Sequence, residues 1–389
     1  MTAFAAGVAG LPASDSSRLE RIVATRRFDR PTLVLDTDIV ARNYRALSDG
    51  LGRAEIHYAV KANPAPEIIS TLVAEGSGFD AASRAEIELC LSQGARPERI
   101  SFGNTIKRPS DIAFAHRVGI TLFAADAEEE LAKIAENAPG ARVYIRVIVE
   151  PNGADWPLTR KFGCAADRVP SLLSYARDLG LEPIGLSFHV GSQTRHAHMW
   201  SDTLGQVADI WHAACAAGEP LSLLNIGGGF PAFYGEEIQH PTDYAADVMA
   251  QVEARFGTVP RIMAEPGRGM VADAGLIAAE VLLVSRKSDT DLHRWVYLDI
   301  GKFSGLAETE GEAIRYQFTT QRDGEETGSC ILAGPSCDSV DVLYEKRPVQ
   351  LPLGLKAGDR VTIRNCGAYT STYASVGFNG FPPLDVLVI

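Results

Sequence analysis

Between residues 57 and 267 the chain alternates short, continuously apolar runs with longer amphipathic ones. The apolar runs fall at 57–61, 78–82, 100–104, 121–126, 142–149, 185–191, 223–228 and 261–267, and one more at 33–36 precedes them. Helical spacing of apolar residues fills the gaps, over 66–75, 85–93, 110–117, 127–137, 169–179, 199–217 and 244–256. Several of these helices stop at glycine (Gly76, Gly94, Gly180, Gly218), which suits a left-handed C-terminal cap. Continuous apolar strands with helical crossovers predict a parallel sheet buried on both faces. Eight such units fit an α/β fold of the (β/α)8 TIM-barrel type better than an open sheet. An open, doubly wound sheet remains the alternative, because closure is not written in the pattern.

After about residue 275 the texture changes. Runs at 277–285, 295–300, 328–333, 360–365 and 384–389 read as strands. Turns such as Arg322-Asp323-Gly324 and Lys356-Ala357-Gly358-Asp359 join them, with no convincing long helix between most of them. The expected layout is therefore a leader and segment over 1–35 that packs on the β domain, a barrel over 36–274, and a mainly β domain over 275–389.

Composition narrows the function classes. The chain has 389 residues, 46% hydrophobic and 22% charged, enough for two domains or three. Its 37 basic and 49 acidic residues give a net charge of −12, which argues against nucleic acid and against an anionic membrane surface. Six cysteines (Cys90, Cys164, Cys215, Cys330, Cys337, Cys366) show no Cys-x-x-Cys spacing, so a reducing cytoplasm is expected. No basic residue precedes Arg18, which disfavours a targeting signal, and the leader reads as disordered or loosely packed. No uncharged apolar run is long enough to span a bilayer. These features predict a soluble, cytoplasmic protein of enzyme size.

Barrels place their chemistry at the C-terminal ends of strands. Those ends carry Lys61, Asp80, Asn104, Asp126, Arg146, His189, Gly227-Gly228-Gly229 and Glu265. Taken singly, each has a plain structural explanation: a lysine reaching solvent, a hydrogen-bonded core histidine, a helix-capping aspartate, a tight turn. Their collective placement changes the odds. Bare backbone at the triple glycine would let N–H groups approach an anion, and barrels often bind phosphate after strands seven and eight. Glu265-Pro266-Gly267-Arg268 adds a carboxylate and a guanidinium, the latter suited to phosphate. An amine, a phosphate cradle and an acid meet the needs of pyridoxal 5′-phosphate.

Seven motifs in order then carry a resemblance. Tyr58-Ala-Val-Lys-Ala-Asn63, Phe188-His-Val-Gly-Ser-Gln193, Gly227-Gly-Gly-Phe230 and Glu265-Pro-Gly-Arg268 are followed by Gly334-Pro-Ser-Cys-Asp-Ser339, Gly367-Ala-Tyr369 and Phe378-Asn-Gly-Phe381. From about residue 30 to its end the chain resembles the pyridoxal-phosphate enzymes of the alanine-racemase-like fold, specifically the ornithine decarboxylase group. The resemblance implies that Lys61 carries the cofactor on its amine, His189 stacks on the ring, and Glu265 keeps the ring nitrogen protonated. Ser192, Gly228, Gly229, Arg268 and Tyr369 would bind the phosphate, while Asp80 and Arg146 would support the ring and the lysine. It further implies a head-to-tail homodimer with shared active sites, in which Cys337, Asp338 and Phe378 cross over from the partner. Cys337 would be the acid that protonates Cα, Phe378 would make the surroundings of the leaving carboxylate apolar, and Asp338 would hold the distal ammonium of a dibasic substrate.

The implied reaction is decarboxylation of L-ornithine to putrescine and CO2, in polyamine biosynthesis. Lysine, alone or together with ornithine, is the alternative, since one methylene is worth only about 1–3 kcal/mol in a pocket. Within Asp299-Ile-Gly-Lys-Phe-Ser-Gly-Leu-Ala-Glu-Thr309, which looks like the bacterial ornithine or lysine/ornithine enzymes, Glu308 is the candidate for a second distal-amine acid. Glu310 and Glu312 stand as substitutes for it. Alanine racemase is disfavoured because Pro64-Ala65-Pro66 follows Lys61-Ala62-Asn63, and diaminopimelate decarboxylase because Asp rather than Glu follows Cys337. A catalytically inactive, decarboxylase-like regulator is the remaining reading, and the joint presence of Lys61, Cys337, Arg268 and Tyr369 weighs against it.

Overall fold

Each apolar run between residues 55 and 264 has almost no exposed position, so it needs cover on both faces and takes a place in a parallel sheet. In the computed structural model, which describes residues 16–149 and 161–389, those runs are the strands of a closed barrel. In chain order they are Glu55–Ala59, Gly78–Ala81, Ile100–Phe102, Leu122–Ala125, Arg142–Arg146, Glu182–Ser187, Leu223–Asn225 and Arg261–Ala264. The last pairs with the first through Glu55 with Met263 and Ile56 with Ala264, which closes the ring and removes the open-sheet alternative. Helices at Pro66–Ala74, Arg84–Ser92, Pro109–Arg117, Glu128–Asn137, Val169–Asp178, Ser201–Ala216 and Pro241–Phe256 connect the strands. Gly76, Gly94, Gly180 and Gly218 follow four of them with positive φ, as a left-handed cap requires.

Inside the barrel Leu122, Ala124, Tyr144, Ile184, Leu223 and Met263 form a buried cluster. At the N-terminal ends of the strands, Arg261 holds Glu55 with both arms of its fork (2.9 and 3.0 Å), and Arg99 adds a third bond at 2.9 Å. Gly185 tolerates no side chain: a Cβ there would collide with the Leu223 carbonyl and lie 2.8 Å from Leu223 Cβ. Gly185→Ala is therefore expected to destabilise the chain by about 1–3 kcal/mol, read as a lower urea midpoint at unchanged slope.

The strands end sooner than the apolar runs. Lys61 lies in a 3₁₀ turn, Val60–Ala62, and His189 and Glu265 lie beyond Ser187 and Ala264. Hydrogen bonding nevertheless continues past the ladder as single bonds: Val147 N to Ser187 O (2.8 Å), Phe188 N to Asn225 O (3.2 Å), Glu265 N to Gly227 O (2.8 Å) and Ala59 N to Pro266 O (3.1 Å). The rim residues thus leave strand geometry while their backbone stays tethered.

The chain divides into two compact units, one of Val40–Pro231 with Pro241–Met270, the other of the residues up to Ile39, Ala232–His240 and Val271–Ile389. In the second unit a nine-stranded sheet runs in the order Gln317–Thr320, Arg360–Arg364, Gly275–Ser285, Arg294–Leu298, Thr327–Ala333, Val342–Leu343. Thr32–Leu35 lies antiparallel to Gly275–Ser285 and parallel to Asp385–Val388, and Val349–Pro352 flanks Thr327–Ala333.

Three short strands (Gln317–Thr320, Val342–Leu343, Val349–Pro352) and the helices Ser16–Thr25 and Thr37–Leu51 have no counterpart in the sequence pattern read above. The last is masked because a buried asparagine, Asn43, occupies a core-facing position between Ile39 and Leu47 and donates to Met270 O at 3.1 Å. The leader over residues 1–15 lies outside the described residues. Among the described residues no helix is long and apolar enough to cross a membrane.

Candidate active site

The barrel unit gathers titratable groups just beyond its strand ends. Lys61 follows the first strand, Asp80 lies in the second, Arg146 ends the fifth, His189 follows the sixth, and Glu265 follows the eighth. Asp80 accepts a hydrogen bond from Ser101 Oγ at 3.2 Å. A Cβ at Gly103 would collide with the Asp80 carboxylate, so the glycine makes room for it. Burial raises the Asp80 carboxyl above the usual range, with Lys61, His57, Ser101 and Arg146 opposing. Burial also pushes Glu265 up to about 8, the field of Asp80 adds to this, and Asn225, Arg146 and Lys61 pull the other way. Lys61 and Arg146 are therefore within electrostatic reach of Asp80, Glu265 and His189 alike.

His189 is neutral. Burial lowers it well below its ordinary value, and Arg146 and Lys61 lower it further. Its Nδ1 accepts the Gly191 N–H at 3.2 Å, so the single ring proton sits on Nε2. A neutral, flat ring in a fixed orientation suits stacking, and no charge on it opposes a protonated heterocycle.

The glycine loop and Arg268 form a second cluster. Gly227 (φ 69°) and Gly229 (φ 109°) take the left-handed region. A Cβ at Gly228 would lie 2.8 Å from Glu265 O and 3.6 Å from His189 Nε2; one at Gly229 would lie 2.7 Å from Gly191 O. Bare backbone is therefore required here. Arg268, only 4% exposed, donates through Nη2 to Ser192 Oγ at 3.3 Å. A buried guanidinium, a hydroxyl and unshielded backbone form the donor set that a phosphate dianion calls for. With the Lys61 amine and the Glu265 carboxyl, these residues fit pyridoxal 5′-phosphate.

The second unit holds the other candidates. Cys337 is exposed, and its backbone N–H (3.0 Å) and Sγ (3.4 Å) both approach Asn379 Oδ1. Asn379 belongs to the 3₁₀ turn Phe378–Gly380, whose Phe378 ring packs on Phe303 at 4.5 Å between centroids. The two loops bearing Cys337 and Phe378 are thus joined directly. Asp338 stays near its own loop, accepting the Val340 N–H at 2.9 Å. Tyr369 takes φ 55° in a loop anchored by Gly367 N to Ala272 O (2.9 Å) and Thr370 Oγ1 to Cys366 O (2.6 Å).

The three glutamates of the 3₁₀ segment Ala307–Glu312 separate clearly. Glu310 is exposed and bound by Lys302 at 2.8 Å. Glu312 is engaged by Arg315 (3.1 Å), Arg347 (3.3 Å) and the Lys346 N–H (2.6 Å). Glu308 is 6% exposed.

Four neighbours of these groups escape the sequence patterns. Tyr144 lies in the barrel core, its phenol raised well above the ordinary range by burial first and then by Glu265 and Asp80. Glu86 accepts the Ala82 N–H at 2.6 Å beside Asp80 and Lys61. Asn225 bridges Gly227 and Glu265. Asp341, 2% exposed, binds Lys302 N (2.8 Å) and Ser336 Oγ (2.7 Å) and so fixes the loop bearing Cys337. Of these, only the capping spacing Ser83-Arg84-Ala85-Glu86 left a trace in the sequence.

Comparison with known proteins agrees with this chemistry. Residues 37–272 match the pyridoxal-dependent decarboxylase, pyridoxal binding domain. The lysine/ornithine decarboxylase of Selenomonas ruminantium is 33% identical over 362 residues, covering 92% of this chain and 88% of that one. The ornithine decarboxylase of Schizosaccharomyces pombe is 31% identical over 359 residues, covering 90% and 81%. The crystal structure of lysine/ornithine decarboxylase from Vibrio vulnificus with cadaverine superposes at a TM-score of 0.85 with 32% identity, covering 97% of this chain and 99% of that one.

Proposed function

This chain belongs to the pyridoxal-dependent decarboxylase family, and from that premise we propose that it removes the α-carboxylate of L-ornithine, giving putrescine and CO2. It is an enzyme, and its cofactor is pyridoxal 5′-phosphate. When bound, that cofactor supplies a protonated ring able to accept the electron pair left at Cα as CO2 departs. The protein's own groups do the rest. Lys61 anchors the cofactor through its amine, with Asp80 and Arg146 balancing charge around it. His189 stacks as a neutral ring. Glu265 holds the proton on the ring nitrogen, and a carboxyl raised to about 8 by burial is stabilised as an anion once a cation sits against it. Ser192, Gly228, Gly229, Arg268 and Tyr369 hold the phosphate.

The substrate choice rests on one observation, the sorting of the acids in Ala307–Glu312. Glu310 is exposed beside Lys302 and Glu312 lies against Arg315 and Arg347, and Glu308 is the buried acid at the matching place in the resembling segment. We assign Glu308 and Asp338 to the distal ammonium of a dibasic amino acid. Two carboxylates there select against diaminopimelate, whose far end carries a carboxylate of its own. Lysine stands as the second reading, favoured by the likeness to the lysine/ornithine decarboxylase of Selenomonas ruminantium.

We further propose a head-to-tail homodimer in which Cys337, Asp338 and Phe378 serve the partner's barrel. Supporting this, the loops that carry them expose apolar side chains: Val340 is 55% exposed, Tyr373 51% and Val376 90%.

CO2 release measured across ornithine, lysine, arginine and diaminopimelate, with pyridoxal phosphate added, tests the reading. Ornithine is expected to give the highest kcat/KM; preference for diaminopimelate, or no CO2 from any of the four, rejects it. Asp338→Ala is expected to raise the KM for ornithine about 10- to 100-fold, the loss of one charge-assisted contact, with a smaller change in kcat.

A further inference from the structure

Asn225 is the last residue of the seventh barrel strand and is completely buried. Its amide closes a circuit of three hydrogen bonds. Gly227 N–H donates to Asn225 Oδ1 at 2.9 Å, Asn225 Nδ2 donates to Glu265 Oε1, and Glu265 N–H donates to Gly227 O at 2.8 Å. Because Oδ1 is taken by a backbone N–H, which can only donate, the amide cannot flip, and its NH2 must face Glu265. Only a short side chain with one acceptor and one donor completes this ring. An aspartate keeps the bond to Gly227 but turns a second acceptor toward the Glu265 carboxylate. A leucine loses both bonds.

We infer that Asn225 is a positioning residue for the cofactor: it aims the Glu265 carboxylate and locks it to the glycine loop, so that the group holding the ring nitrogen and the loop holding the phosphate keep a fixed separation. The inference rests on the assignment of Glu265 to the ring nitrogen and goes beyond it. The circuit ties together the residues that would hold two different parts of one ligand, so that an error in placing either set would weaken both contacts. Electrostatics point the same way. Burial and Asp80 drive Glu265 toward its protonated form, which cannot hold a protonated nitrogen, and the Asn225 donor favours the anion.

The test is a double-mutant cycle on cofactor affinity, in which the full-length protein is stripped of cofactor and titrated with pyridoxal phosphate by absorbance. Glu265→Gln should weaken binding by itself. Asn225→Asp should weaken binding about 10- to 100-fold in the wild-type background and less than twofold in the Glu265→Gln background. In Glu265→Gln the amide at 265 can donate to the introduced aspartate, so the conflict is gone. A merely structural role for Asn225 predicts equal losses in both backgrounds, and that result, or a silent Asn225→Asp, overturns the inference. If instead Glu265→Gln leaves affinity unchanged, the assignment of Glu265 itself fails. Should Asn225→Asp not fold, Asn225→Ser, which offers Gly227 a shorter acceptor and gives up the donor to Glu265, carries the same cycle with the same outcomes.

Discussion

We expect Lys61→Ala to abolish CO2 release from ornithine, with a loss on the order of 10⁴-fold or more. The magnitude follows from what the lysine does. An amine fixed on the protein beside the substrate's α-carbon would replace an encounter in solution, and neither Arg146, a guanidinium, nor His189, held neutral, can take its place. Because Lys61 is an exposed residue of the 3₁₀ turn Val60–Ala62, its truncation should leave the fold intact. Circular dichroism and the urea midpoint of the variant should therefore match the parent. Substantial residual turnover in a folded Lys61→Ala protein contradicts the assignment.

The second large effect is expected at Cys337. Here the rate should fall by about 10²- to 10⁴-fold in Cys337→Ala, the range for loss of a positioned general acid. The products should change as well: an electron pair not protonated at Cα would be protonated on the cofactor instead, and water would then release an aldehyde while the α-amino group stays on the cofactor, in place of part of the diamine. The geometry gives a reason to expect a well-placed thiol: Asn379 Oδ1 approaches both the Cys337 N–H and its Sγ, and Asp341 accepts from Ser336, the residue before Cys337. Unchanged rate and unchanged product ratio would remove Cys337 from the mechanism. If the proposed dimer shares its sites, mixing Lys61→Ala with Cys337→Ala subunits should restore part of the activity, since each hybrid would contain one intact pair. Absence of recovery in verified hybrids contradicts sharing across subunits.

The barrel was legible because its strands are buried on both faces, which leaves uninterrupted apolar runs that no amphipathic helix imitates. The barrel-side candidates were legible for a related reason: a Lys, His or Glu directly after such a run is conspicuous, and Lys61, His189 and Glu265 all meet that description. Other features depend on partners distant in sequence and left no local sign. Asn225 reads as an ordinary strand end until Glu265, forty residues on, is seen to accept its hydrogen bond. Glu312 stands as a substitute for Glu308 in the sequence, and only the fold places Arg315 and Arg347 around it. The helix Thr37–Leu51 hid behind Asn43, a polar residue on its buried face. Strands as short as Val342–Leu343 have too few residues to show alternation at all.

A single covalent anchor at Lys61 is expected to hold the cofactor, and it can be located chemically. The full-length protein, loaded with pyridoxal phosphate, is treated with borohydride, digested and mapped by mass spectrometry. A phosphopyridoxyl group on the peptide containing Tyr58-Ala-Val-Lys-Ala-Asn63, at Lys61, is the predicted result. Its appearance on any other lysine, or on none, contradicts the site.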